Sequence, residues 1–136
     1  MRLDSQDLNG FVPLIKNEVL KHFDIKIQTI KLMISHHQVF FDGEVIYKGI
    51  KFKVYGSVKL SYNEPYFILS FSDSHIQNQF IKLNLAGFFG QFIKADSKIK
   101  MEGNQLYLAI DLLPFSLNII NFEMKENEIL TNFILS

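Results

Sequence analysis

Cysteine is absent from this chain, and so are tryptophan, net charge and any long apolar run. Each absence removes a class of protein. Without cysteine there is no disulfide framework, no thiolate metal site and no cysteine nucleophile. A formal net charge of zero argues against a dedicated nucleic-acid binder, where a strongly basic domain is expected. No stretch reaches the ~18 consecutive apolar residues of a membrane-spanning helix. The opening MRLDSQDLNG is polar and lacks the apolar h-region of a signal peptide. The expected location is therefore cytoplasmic if the chain is full length.

Recognisable chemistry is also missing. His36 and His37 are adjacent, so on a strand they face opposite ways and could not share one metal without a turn; a turn-exposed pair is the expected reading. No carboxylate stands at a helical spacing from that pair that would add ligands, and His22 and His75 are isolated. No Gly-x-Ser-x-Gly elbow, Walker loop or dinucleotide glycine pattern occurs. The expectation is a protein with no metal, no cofactor and no catalytic constellation.

What the chain does contain is apolar surface in strand-like order. Its 136 residues suit one domain, and 48% of them are hydrophobic, including 14 Phe. From Ile50 to Tyr62 the even positions (Ile50, Phe52, Val54, Gly56, Val58, Leu60, Tyr62) alternate with a polar, basic set (Lys51, Lys53, Tyr55, Ser57, Lys59, Ser61). That is period-2 alternation over a strand well beyond the usual ~5–6 residues. Strands this long belong to large, strongly twisted sheets, so a curved sheet is expected. Its apolar face must be covered by a helix or filled by a ligand.

The rest of the chain supplies the covering pieces. Leu8, Phe11, Val12, Ile15, Val19, Leu20 and Phe23 approach helical spacing, which predicts a helix from about Asp7 to Phe23. Pro13 is its weak point: it must lie in the first turn, or it kinks the helix and forces a start near Val12. Strand patterns follow, with a phase slip between Ile27 and Ile30 that predicts a bulge near Gln28–Thr29. Turns are expected at His36–His37, Lys48–Gly49, Asn63–Pro65, Gly103–Asn104 and Glu126–Asn127, and a break at Pro114. Leu85, Phe88, Phe89, Phe92 and Ile93 switch to helical spacing, a short second helix near 85–93 that Gly87 and Gly90 weaken. Ile120, Phe122 and Met124, then Ile129 to Leu135, read as closing strands.

The segment IKLNLAGFFGQFI followed by IKMEGNQLYLAIDLLPFSLNIINFEMKENEIL resembles the LmeA-like branch of the tubular lipid-binding superfamily. Glu102-Gly103-Asn104 and Glu126-Asn127 stand where that pattern places its two turns. The resemblance implies a long helix wrapped by a highly curved antiparallel sheet, with an apolar groove for lipid.

The expected fold is α+β: a long N-terminal helix packed on a highly curved antiparallel meander of five to seven strands, with a cystatin-like helix-on-sheet as runner-up. The expected function is non-catalytic binding of a lipid or other apolar ligand. Groove residues would be Phe11, Ile15 and Val19; Phe52, Val54 and Val58; and a gate of Phe88, Phe89 and Phe92. Lys48, Lys51, Lys53 and Lys59 would face an anionic membrane surface. The alternative is an assembly module whose groove or sheet edge is filled by a protein partner or by homodimerisation.

Overall fold

The alternating stretches become four long consecutive strands: β2 (Lys26–Ser35), β3 (Gln38–Tyr47), β4 (Ile50–Asn63) and β5 (Tyr66–Gln77). The computed structural model describes residues 1–93, 98–112 and 117–135, so the Pro114 break lies outside the described residues. Strands β2 to β5 are joined by tight turns. His36–His37 and Lys48–Gly49 both hold two successive residues at positive φ (53° and 61°; 51° and 76°). Such paired left-handed residues match the twist of the flanking strands. After β5 come β6 (Lys82–Asn84), helix α3 (Leu85–Gly90), β7 (Ile99–Glu102), β8 (Gln105–Ala109) and a single 3₁₀ turn over Ile110–Leu112. The large sheet has the order β2-β3-β4-β5-β8-β7, with β6 pairing the C-terminal end of β5.

Two expectations fail. The N-terminal helix is not one long helix but two short ones, α1 (Ser5–Asn9) and α2 (Val12–Phe23), separated at Gly10–Phe11. Pro13 explains the break: it has no N–H for the Asn9 carbonyl, and its ring collides with that group in a continuous helix. It is tolerated in the first turn of α2, where its missing donor costs nothing. The highly curved single meander is also wrong. The sheet is neither closed nor strongly curled, and the closing strands form a second sheet of order β1-β10-β9 with β1 (Arg2–Leu3), β9 (Leu117–Met124) and β10 (Ile129–Leu135). With 57% of residues in strands and 21% in helices, the protein is mainly antiparallel β with three short helices.

The expected bulge is found. Register shifts between Ile27 and Thr29, and Lys16 Nζ on α2 donates to the Gln28 carbonyl at 3.1 Å. A second irregularity was not expected. Opposite Tyr55–Ser57, strand β5 carries one extra residue around Asp73, whose φ is 46°. There Gly56 (φ 148°) lies so close to Ser74 that any Cβ would collide with it. The buried Ser74 hydroxyl ties the strands by donating to the Ser57 carbonyl at 3.0 Å.

Helix α1 guards the outer edge of β2. Asn9 Nδ2 donates to the Leu32 carbonyl (2.8 Å), and the Leu32 N–H donates to Asn9 Oδ1 (3.0 Å). The Ile34 N–H donates to Ser5 Oγ at 2.8 Å. One side chain thus imitates a neighbouring strand and blunts an edge that would otherwise recruit another chain. The second sheet packs on the far end of β4 and β5, where Phe122 meets Phe67 edge-on at 5.6 Å and Met124 Sδ accepts the Leu60 N–H at 3.3 Å.

Candidate functional site

The inner face of the large sheet, α2 and α3 border a half-open cavity of about 400 Å³. Strand alternation supplies the floor: Ile27, Leu32, Val39, Phe41, Val45, Val54, Val58, Phe71 and Ile76 all point inward, and all are buried. Ile15, Val19 and Phe23 enter from α2, and Leu85, Phe88 and Phe89 from α3. Leu106 and Leu108 close the side nearest β8. Helix α3 is held by its Asn84 cap, which accepts the Gly87 N–H at 3.0 Å, and by ring contacts. Phe89 lies 5.0 Å from Phe23 and 6.0 Å from Phe71, while Phe88 stands edge-on to Tyr47 at 5.3 Å. These tilted and edge-on pairs are the favoured arrangements of aromatic rings, so packing offsets the weak propensity of the two glycines.

Among the described residues only Glu18 and His22 bring polar side chains to the lining. They are one turn apart on α2, with His22 Nε2 at 3.2 Å from Glu18 Oε2 and both side chains about a fifth exposed (22% and 23%). Among the described residues no group of three or more His, Cys, Asp or Glu is placed to hold a metal, and nothing in the geometry indicates catalysis.

The expected groove residues separate into two sets. Ile15, Val19, Val54, Val58, Phe88 and Phe89 meet at the cavity. Phe11, Phe52 and Phe92 do not line it. Phe11 caps α2 in the inter-helix break and is 42% exposed. Phe52 pairs with Val45 near the sheet end and is ordinary core. Phe92 packs behind α3, 5.1 Å from Phe88 and 5.3 Å from Tyr47. The sequence reading missed Phe41, Phe71 and the Glu18–His22 pair. The two rings share the alternation that singled out Val54, and the i, i+4 spacing of Glu18 and His22 was visible.

The four expected surface lysines do not form one patch. Lys51 is bonded to Glu44 at 2.6 Å, and this contact, with the charge of Lys53, holds the Glu44 carboxyl below its ordinary range. Lys48 lies over the Tyr47 ring, 5.3 Å from its centre. Lys59 stands eight residues along β4 from Lys51, roughly 26 Å at strand rise, because one 14-residue strand carries both. Among the described residues no helix is long and apolar enough to cross a membrane. Comparison with protein-family models, curated proteins and solved structures returns no match.

Proposed function

We propose that this protein is a non-catalytic carrier of a lipid or similar apolar molecule, held between the large sheet, α2 and α3. One observation carries the reading: a cavity of about 400 Å³ whose lining, among the described residues, includes only two polar side chains. That volume falls within the ~300–1,000 Å³ of small-molecule sites, which are mostly apolar with few polar groups fixing orientation. Binding would be driven by burial, at ~0.8 kcal/mol for each methylene taken from water. A head group at the α2 side would meet the Glu18–His22 pair, whose hydrogen-bonding atoms suit an alcohol or amine.

The reading rests on the cavity and not on the tubular lipid-binding resemblance. The alternative, a partner strand added to the sheet edge, has less support at β2, where Asn9 and Ser5 already occupy the edge groups. Solvent extraction and mass spectrometry of the purified chain test the reading, alongside displacement of an environment-sensitive dye by long-chain alcohols. Val19→Trp, which fills the cavity from α2, should abolish displacement while the far-UV spectrum is kept. A chain that carries no apolar molecule and binds the dye equally well with Val19→Trp would sink the proposal.

A further inference from the structure

We infer that the end of the large sheet bearing the β3–β4 and β5–β6 turns docks on an anionic lipid surface and inserts Phe80 and Ile81 into it. Phe80 is 82% exposed, and Ile50, Ile81 and Leu83 beside it are 51%, 46% and 38% exposed. Burying Phe80 in the folded chain was open to the sequence, yet the turn holds it out. Asn78 Oδ1 accepts the N–H groups of Phe80 (2.8 Å) and Ile81 (2.9 Å), and the Asn78 N–H donates to the Ile81 carbonyl (2.9 Å). The apolar tip is therefore built, not frayed.

Strand register sets lysines directly behind it. Lys53 pairs with Gln77, and Gln77 with Lys82, so these three share the outer face in one row. In the next row Lys26 pairs with Ile46 and Ile46 with Lys51, while Lys48 occupies the adjoining turn. Glu44, opposite Lys53, is the one acid on these rows and is already engaged by Lys51. An apolar tip backed by lysines is the pattern of a membrane interface, where rings enter the acyl boundary and ammonium groups stay at the phosphates. It does not suit a protein partner, since interface centres are depleted of lysine. The same end carries Tyr47, on which Phe88 and Phe92 of α3 stack, so a docked lipid surface lies beside the α3 wall of the cavity.

The absence of tryptophan makes the test clean. Phe80→Trp places a single indole at the tip, to be mixed with phosphatidylcholine vesicles with and without phosphatidylserine. Expected are a blue shift and quenching by brominated acyl chains on the phosphatidylserine vesicles, reversed by high salt. By co-sedimentation, Phe80→Ser should weaken partition at least ~tenfold, and Lys53→Gln with Lys82→Gln roughly thirtyfold. Dye displacement from the cavity should be unchanged in Phe80→Ser, which keeps this inference separable from the carrier reading. Emission that ignores phosphatidylserine vesicles overturns the inference. So does a blue shift that grows with protein concentration without vesicles, which would mean that a second copy covers the tip.

Discussion

Removing the Asn9 side chain should both weaken the fold and expose the edge of β2. Asn9→Ala deletes the two bonds to Leu32, at 2.8 and 3.0 Å, and strands a part-buried carbonyl and N–H. A net hydrogen bond is worth ~1 kcal/mol, and a group left unsatisfied costs ~1–3 kcal/mol if water cannot reach it. Water can reach this edge in part, so we expect a loss of about 2 kcal/mol, or a fall in Tm of roughly 6–8 °C for a domain of this size. Ser5→Ala removes one bond, to the Ile34 N–H, and should cost about half as much. Urea unfolding followed by far-UV circular dichroism gives both values. Light scattering of Asn9→Ala should also rise with concentration, because an unpaired strand edge recruits other chains. The edge-guard argument fails if Asn9→Ala stays within the ~0.5 kcal/mol of an ordinary surface change, or if Ser5→Ala proves the more damaging of the two.

Gly87→Ala and Gly90→Ala should each stabilise the protein by up to ~1 kcal/mol through helix propensity. The space is there: a Cβ on Gly87 would sit 3.9 Å from Asn84 Oδ1, and one on Gly90 would meet nothing within 4 Å. If α3 moves to admit ligand, the same variants slow the off-rate of a fluorescent lipid; higher Tm with unchanged exchange would remove the gating role of Phe88 and Phe89. Asp4, which accepts the Asp7 N–H at 2.9 Å, is held below the ordinary aspartate value chiefly by that backbone bond. The unfolded chain then takes up the proton more readily, so the cap's contribution is full above ~pH 4 and disappears as pH falls through the folded pKa. An NMR titration placing Asp4 at or above ~3.9 would contradict this, and Asp4→Asn should cap α1 without the pH dependence.

Local features were legible because they rest on local chemistry. The Gln28 bulge showed as a phase slip, and the His36–His37 and Lys48–Gly49 turns as breaks between alternating runs. Alternation also says which side chains share a face, which is why Val54 and Val58 meet Ile15 and Val19 across one cavity. It does not say which strand lies beside which, so the second sheet was not foreseen. Nor does apolar spacing report a break between helices when both turn the same side inward: Leu8 and Ile15 both reach the cavity although Gly10 and Phe11 interrupt the helix. The Asp73 bulge shows in the sequence as a phase slip from Phe71 to Ile76, but Ile76 to Leu83 reads as a less regular segment, which hides a bulge within one strand. The lysines were noticed by type, but only register shows that Lys82 belongs with Lys53 and that Lys59 does not.

The pairing of β1 with β10 has a consequence for the time course of folding. Strands β2 to β5 can zip as successive hairpins as soon as each turn leaves the ribosome. The small sheet cannot, because the Met1 amino group donates to Asn132 Oδ1, 131 residues away, and Arg2 pairs with Leu130. Closing so long a loop carries an entropic cost that grows slowly with length, and non-local pairings of this kind are slow to form. Helices α2 and α3 precede the small sheet, so what waits uncovered until residues 117–135 have been made is the end of the meander at Phe67 and Leu60. Nascent chains stalled before that point should be the species that chaperones hold.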